Sequence, residues 1–288
     1  MDKIKIKIRE CYENFNATEQ KIASYFLDNS DDIINLNVAE LARRCGVSQS
    51  ALIRFNKKIG FNGLKDLKKY LTADLLEANK NSDGRSPEEY SDIRENDSAK
   101  VIFEKISHNN ITAITETSYL LDYDALERAI DIIYAADRVD FYGVGASGLV
   151  ALDAQQKFMR IGKVCNAHPD SHTQLVLASN LRERDVAVII SNSGMTKDCL
   201  DISTVAHESK AAVITITKYN QNKLSAQADI ALFICSPEIN VRSGATSSRI
   251  AQLTLIDALF TGVASRNFEI NQKTLNRSYR YASLKKVT

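Results

Sequence analysis

Two short segments of this sequence carry hydroxyl and backbone donors at a spacing suited to holding a small anion. The first is Gly143-Val144-Gly145-Ala146-Ser147-Gly148, directly after Val139-Asp140-Phe141-Tyr142. The second is Ser191-Asn192-Ser193-Gly194-Met195-Thr196, directly after Val186-Ala187-Val188-Ile189-Ile190. Each apolar run predicts a strand, and each loop leads into a predicted helix. The first turn of a helix exposes N–H groups with no intrahelical partner, and the helix dipole favours negative charge there. Hydroxyls add neutral donors, and glycine lets the backbone approach a ligand closely. In the second loop Ser191, Ser193 and Thr196 place three hydroxyls within six residues around Gly194, ahead of a helix from Lys197. That set fits a phosphate monoester, and Ser147 could add a fourth hydroxyl to the phosphate or to an attached sugar. Either loop alone is equally explained as a strand-to-helix turn with serine caps. Two such loops in one sheet point to a pocket.

The first loop also satisfies G-x-G-x-x-G, but a dinucleotide site wants an acid about 20 residues further on, at the end of the next strand. That region reads Val164-Cys165-Asn166-Ala167-His168, and Asp170 follows Pro169 in a loop. His168, His172, Glu238 and Arg242 fall in later strand-to-helix connections, where open parallel sheets form ligand crevices. His172 or Glu238 could bind sugar hydroxyls or a substituent, or be surface residues. Ser247 and Ser248 could cap the last helix, line the pocket, or both. No acid–base pair suited to proton transfer is evident. The four histidines are too dispersed for a zinc-finger type of site, and the five cysteines (11, 45, 165, 199, 235) show no metal-like spacing. They read as reduced thiols, and no metal or other cofactor is expected.

A second kind of chemistry lies upstream. Between residues 43 and 69 stand eight basic residues, Arg43, Arg44, Arg54, Lys57, Lys58, Lys65, Lys68 and Lys69, against one acid, Asp66. The whole chain carries a net charge of only +1. The cluster sits on a helix-turn-helix pattern. Asn37 is a predicted N-cap with Glu40 three residues on, a box-like signature. Leu41, Ala42 and Cys45 face inward, Gly46 suits the left-handed residue of the turn, and Val47 plugs it. Ser48 caps a second helix with Leu52, Phe55 and Ile59 on its inner face. The first turns of such a recognition helix reach base edges in the major groove. Gln49, Ser50 and Arg54 are the candidates, glutamine suiting adenine and arginine guanine. Arg43, Arg44, Lys57 and Lys58 are read as phosphate contacts, which give affinity without sequence information.

The elements that must position these residues divide in two. Residues 1–76 read as helices, forming a DNA-binding domain, and the polar stretch 77–97 reads as a linker. From residue 98 a second domain begins with helices over about 98–121 and 124–136. Apolar runs then recur at 139–142, 164–167, 186–190, 212–216 and 230–234, separated by helical segments. This alternation predicts an α/β domain with a five-stranded parallel sheet between helices, behind an all-α helix-turn-helix domain. A long helix is expected over about 247–264. The polar, basic stretch from Asn267 to Thr288 gives no assignable pattern. No run of about 18 apolar residues occurs and the N-terminus has no apolar signal core, which predicts a cytoplasmic protein without membrane contact.

With both halves read, the chain resembles RpiR-type transcriptional regulators, which join an N-terminal helix-turn-helix to a C-terminal sugar isomerase (SIS) domain. The carriers of the resemblance are Leu41-Ala42-Arg43-Arg44-Cys45-Gly46-Val47-Ser48-Gln49-Ser50, Arg54-Phe55 with Gly60-Phe61 and Gly63, and the two hydroxyl loops. Arg242-Ser243-Gly244-Ala245-Thr246-Ser247-Ser248-Arg249 with Gln252-Leu253 is also similar. The resemblance covers nearly the whole chain. It implies a homodimer or homotetramer on palindromic operator DNA, and a phosphosugar effector such as N-acetylmannosamine 6-phosphate or another hexosamine phosphate. It places the phosphate on Ser191, Ser193 and Thr196, and phosphate or sugar on Ser147. The function implied is a non-enzymatic repressor of a sugar or amino-sugar catabolic operon. The alternative is a phosphosugar isomerase or related SIS enzyme.

Overall fold

The computed structural model describes residues 3–29, 33–34, 36–69, 71, 97–236 and 245–283. Most of the 77–97 stretch, Glu238 and Arg242, and the last five residues lie outside them. The chain divides into two compact units, Met1–Ile93 and Arg94–Thr288.

The first unit is helical. Helix α1 spans Lys3–Cys11, α2 Ala17–Asp28, α3 Val38–Arg44 and α4 Gln49–Lys58, with a further helical turn over 64–69. Helix α2 starts with a complete capping box: the Asn16 side chain accepts from Glu19 N, and the Glu19 carboxylate accepts from Asn16 N. Helices α3 and α4 take the caps expected of Asn37 and Ser48, which accept from Glu40 N and Ala51 N. The box expected at Glu40 does not close, because its carboxylate accepts from Arg43 and Arg44 instead. Ile4 and Ile8 of α1, Ile22 and Phe26 of α2, Leu41 and Ala42 of α3, and Leu52 and Phe55 of α4 meet in one core. Phe55 is its hub: the rings of Phe15 and Phe26 pack edge-on against it at 5.2 and 5.6 Å between centroids. Burying such a ring stabilises by about 1.5–3 kcal/mol, so this cluster fixes the angle at which α4 leaves the core.

The second unit opens with α5, Ala99–Leu120, and α6, Tyr123–Ala135. Five strands follow: β1 Arg138–Gly143, β2 Val164–Asn166, β3 Val186–Ile190, β4 Ala212–Lys218 and β5 Ile230–Ile234. They alternate with α7, Ala146–Met159, α8, Ser171–Ser179, α9, Lys197–Glu208, and α10, Lys223–Gln227. Helix α11, Ser247–Arg266, and α12, Phe268–Ser283, complete the described chain. All pairings are parallel, in the order β2-β1-β3-β4-β5. Successive side chains of a strand point to opposite faces. Val186, Val188 and Ile190 accordingly join the core under α6, α7 and α11, while Ala187 and Ile189 pack with Cys199 and Ile202 of α9. Burial on both faces explains why these strands read as unbroken apolar runs rather than alternating ones.

Helix α12 was not legible in the sequence. Phe268, Ile270, Tyr279 and Tyr281 are exposed on it, whereas Leu275 lies against the core. Its apolar residues therefore do not trace a buried stripe.

The strand order reverses between β1 and β3: β2 lies to one side of the pair, β4 and β5 to the other. At such a reversal the outgoing connections diverge to opposite faces and leave a crevice beyond the carboxyl ends of the two strands. The register pairs Gly143 with Ile190, so both hydroxyl loops emerge side by side there.

Candidate functional site

The β3 loop is built as a tight cradle. Ser191 is buried, and its hydroxyl shares a hydrogen bond of 3.2 Å with Thr196 Oγ1. Thr196 is the N-cap of α9, and its side chain bonds to Ser191 rather than to the helix N–H groups. The Ser193 hydroxyl accepts from Met195 N at 3.2 Å, and Ser193 is exposed. Gly194 adopts φ +61°, and a Cβ there would lie 2.0 Å from Asn222 Oδ1. A side chain at this position would meet both backbone strain and a direct clash.

Asn222 is the support that sequence reasoning missed. It is buried, and its Nδ2 donates to Thr217 Oγ1 at 3.0 Å and to Asn220 Oδ1 at 3.0 Å, while its Oδ1 accepts from Ser225 N at 2.8 Å. Leu224 N, two residues on, donates to Gly194 O. The readable signal was Asn222-x-x-Ser225, a capping box at the start of α10. Asn192 Oδ1 is buried and has no protein donor among the described residues.

The β1 loop is held by two glutamines. Gln174, buried in α8, grips Gly143 from both sides: Gly143 N donates to its Oε1 at 3.3 Å, and its Nε2 donates to Gly143 O at 2.9 Å. Gly143 also allows the next turn to pass closely, since a Cβ there would lie 2.7 Å from Ser147 O. Ser147 is buried in the first turn of α7 and accepts from Gln252 Nε2 of α11 at 3.4 Å. Ser247 and Ser248, which start α11, are buried, and Ser247 Oγ lies 3.4 Å from Ser236 Oγ beyond β5. Gln174 and Gln252 are single glutamines among other polar residues of their helices, so spacing alone does not mark Gln174, and Gln252 stands out only as part of the family resemblance.

The two loops contain no carboxylate, histidine or lysine. Among the described residues no group of histidine, cysteine, aspartate and glutamate could hold a metal ion. His172 is exposed in the first turn of α8, whose N-cap is Asp170. Burial pushes the Cys199 thiol, directly behind the cradle, up to about 11.

In the first unit the turn between α3 and α4 closes through Gly46, at φ +65°, with Val47 N donating to Ala42 O. The cations divide into two groups. Arg43 and Arg44 both bond to the Glu40 carboxylate, at 2.7 and 3.2 Å, and hold it down to about 2. Lys58 is paired to Glu19 at 2.7 Å and lies over the Phe15 ring. Arg54 and Lys57 make no ion pair among the described residues. With Gln49, Ser50 and Ile53 they form the exposed face of α4.

No helix among the described residues is long and apolar enough to cross a membrane. Residues 3–78 match the helix-turn-helix domain of the rpiR family, and residues 132–262 match the SIS domain. The chain is 39% identical over 280 residues to an uncharacterized HTH-type transcriptional regulator of Caldanaerobacter subterraneus, covering 97% of each protein. Among solved structures it is similar in fold to the Vibrio vulnificus NanR protein complexed with ManNAc-6P, with a TM-score of 0.62 at 22% identity, covering 99% of this chain and 100% of that one. The sugar isomerase domain of an RpiR transcription factor from Sphaerobacter thermophilus matches with a TM-score of 0.56 at 20% identity, over 62% of this chain and 98% of that one.

Proposed function

This chain belongs to the rpiR family of helix-turn-helix transcriptional regulators with a SIS domain, and from that premise we propose that it is a repressor released or engaged by a phosphosugar. In this reading residues 1–76 are the DNA-binding domain, 77–97 the linker and 98–288 the sensor. The observation that carries it is the pair of hydroxyl loops at the β1/β3 reversal, one ending in a helix whose N-cap side chain makes no capping bond. Ser191, Ser193 and Thr196 hold the phosphate with the N–H groups of α9, and Ser147 holds phosphate or sugar. Asn192 Oδ1, buried and without a protein donor, is an acceptor for a sugar hydroxyl. His172 and Glu238 are second candidates for contact with the sugar.

Neutral donors suit this task. They stabilise a bound dianion without a permanent cation that would pair with the protein's own acids when the site is empty. The lack of an acid or base in either loop supports binding rather than isomerisation. Hexosamine phosphates, with N-acetylmannosamine 6-phosphate first, are the effector class proposed, since the Vibrio protein of the same fold binds that sugar. On the DNA side Gln49, Ser50 and Arg54 read bases, while Lys57 and, once released from their carboxylates, Arg43, Arg44 and Lys58 contact phosphates. The protein acts as a homodimer or homotetramer on a palindromic operator of a sugar or amino-sugar catabolic operon. The sugar sets the spacing of two recognition helices, on which half-site fit depends.

The test is thermal unfolding of the full chain against hexosamine, glucose and ribose phosphates, each beside its unphosphorylated sugar. A ligand at a hundred times its Kd stabilises the native state by about 2.7 kcal/mol. A shift from one phosphosugar, absent without the phosphate, is the expected result. A shift from a dinucleotide alone would overturn the pocket assignment, and turnover of the bound sugar would make the protein an enzyme.

A further inference from the structure

The exposed face of α4 is not purely polar. Gln49, Ile53 and Lys57 follow one another at spacings of four, with Ser50 and Arg54 beside them. Ile53 is 43% exposed, and among the described residues of the first unit it is the sole exposed large apolar side chain. Every other large apolar residue described on α3 and α4 is buried or packed against the core. Ile53 thus places an unpacked aliphatic group at the middle of a basic face, between a glutamine one turn before it and a lysine one turn after.

We propose that Ile53 is a base-reading residue that packs on the 5-methyl group of a thymine in the major groove. The inference rests on the DNA-reading role of α4. In that groove thymine alone of the four bases presents an apolar group; the other edges present donors and acceptors. An isoleucine pressed on those edges would remove water from polar groups and return no hydrogen bond, which is costly. On a thymine methyl it removes two apolar surfaces from water together. The flanking Arg54 and Lys57 complement the phosphate charge and carry the helix into the groove, which commits this apolar group to DNA rather than to a protein partner. Four residues rise about 6 Å along a helix, so the thymine lies within about two base-pair steps of the base that Gln49 meets. Ile53 therefore adds a fourth specificity element to Gln49, Ser50 and Arg54, the three expected from charge and hydrogen-bonding capacity.

The experiment starts from a randomised duplex DNA library from which the full chain selects its ligands. Each thymine of the selected duplex is then replaced singly by deoxyuridine, which pairs identically but lacks the methyl group. At one position, near the base read by Gln49, wild-type protein is expected to lose about fourfold in Kd, the worth of one buried methyl group. Ile53→Ala is expected to bind the thymine duplex several-fold more weakly and to be indifferent to the uracil change at that position. Ile53→Val, which keeps the branched methyls, should retain most of the sensitivity. Both variants should keep the wild-type helix signal and the wild-type salt dependence on random DNA, because no buried contact and no charge is removed. Wild-type indifference to every uracil substitution, or an Ile53→Ala that remains as sensitive as wild type, overturns the proposal while leaving DNA binding intact. A library that yields no preferred sequence removes the base-reading role of α4 as a whole, a distinct and separately visible failure.

Discussion

Arg54 and Lys57 of α4 stand exposed on long, flexible stems, whereas in the β3 loop the Ser191 and Thr196 hydroxyls bond to one another and Asn222 packs closely against Gly194. Both are built to meet phosphate, and the contrast follows from what each phosphate is attached to. A DNA backbone is a continuous line of charge met at the surface, so mobile cations gain from counterion release and tolerate small errors of position. A sugar phosphate is a single small dianion that a pocket must enclose. There, preorganised neutral donors contribute because they need not reorganise on binding. The first site therefore works by charge and tolerates change; the second works by geometry and does not.

The sharpest way to break this comparison is Gly194→Ala. The left-handed backbone alone costs about 1–2 kcal/mol for a residue with a Cβ, and the clash with Asn222 adds to it. We expect a clear fall in Tm and loss of the phosphosugar-induced shift, with binding to random DNA unchanged. An unaltered shift would mean that the cradle is not preorganised. Next in size are two crossed substitutions. Arg54→Ala should cost about 1–3 kcal/mol of specific DNA affinity and leave the sugar-phosphate shift intact. Ser193→Ala should cost about 1.5–3 kcal/mol of phosphosugar affinity, the range for a hydrogen bond to a charged group, and leave DNA affinity without effector intact. Smaller still is the response to salt in wild type. Between 50 and 200 mM salt, titrations should show DNA affinity falling steeply and phosphosugar affinity changing little, because few counterions are released from a single dianion.

How far the two sites could be read from sequence follows the same division. Hydrophobic spacing marked Leu41, Leu52 and Phe55, and the five apolar runs marked the strands, because burial imposes a period that survives in one dimension. Hydroxyl loops at the ends of β1 and β3 were visible for the same reason: strand ends place them. What could not be read was support at a distance. Gln174 reaches Gly143 across 31 positions and Gln252 reaches Ser147 across 105. Charge counting likewise put Arg43, Arg44, Lys57 and Lys58 together as phosphate contacts. It could not tell that the Glu40 carboxylate, expected to close a capping box, instead holds Arg43 and Arg44. Nor does a search for polar base-readers notice an isoleucine, since exposure at position 53 depends on which way α4 packs.

That diversion of Glu40 sets the smallest expected effect and the finest test of the contrast. Arg43 and Arg44 share a carboxylate that they hold down to about 2, below its ordinary value of 4.5. A depressed carboxyl contributes its stabilisation fully above the ordinary value and loses it as pH falls toward the depressed one. From pH 6 to pH 8 Glu40 therefore stays ionised whether or not the arginines hold it, and any pH dependence of DNA binding in that window has another origin. Because the pair is solvent-exposed, holding the two guanidiniums costs the fold little when it is broken. Glu40→Gln should leave Tm nearly unchanged while freeing both arginines for phosphate. The slope of log Kd against log salt should then steepen by about 1–2, each phosphate contact counting for about 0.9. An unchanged slope would mean that Arg43 and Arg44 already leave Glu40 when DNA arrives, so that the carboxylate only parks them in the free protein. The exposed site would then owe nothing to preorganisation, which is the difference from the β3 cradle taken to its limit.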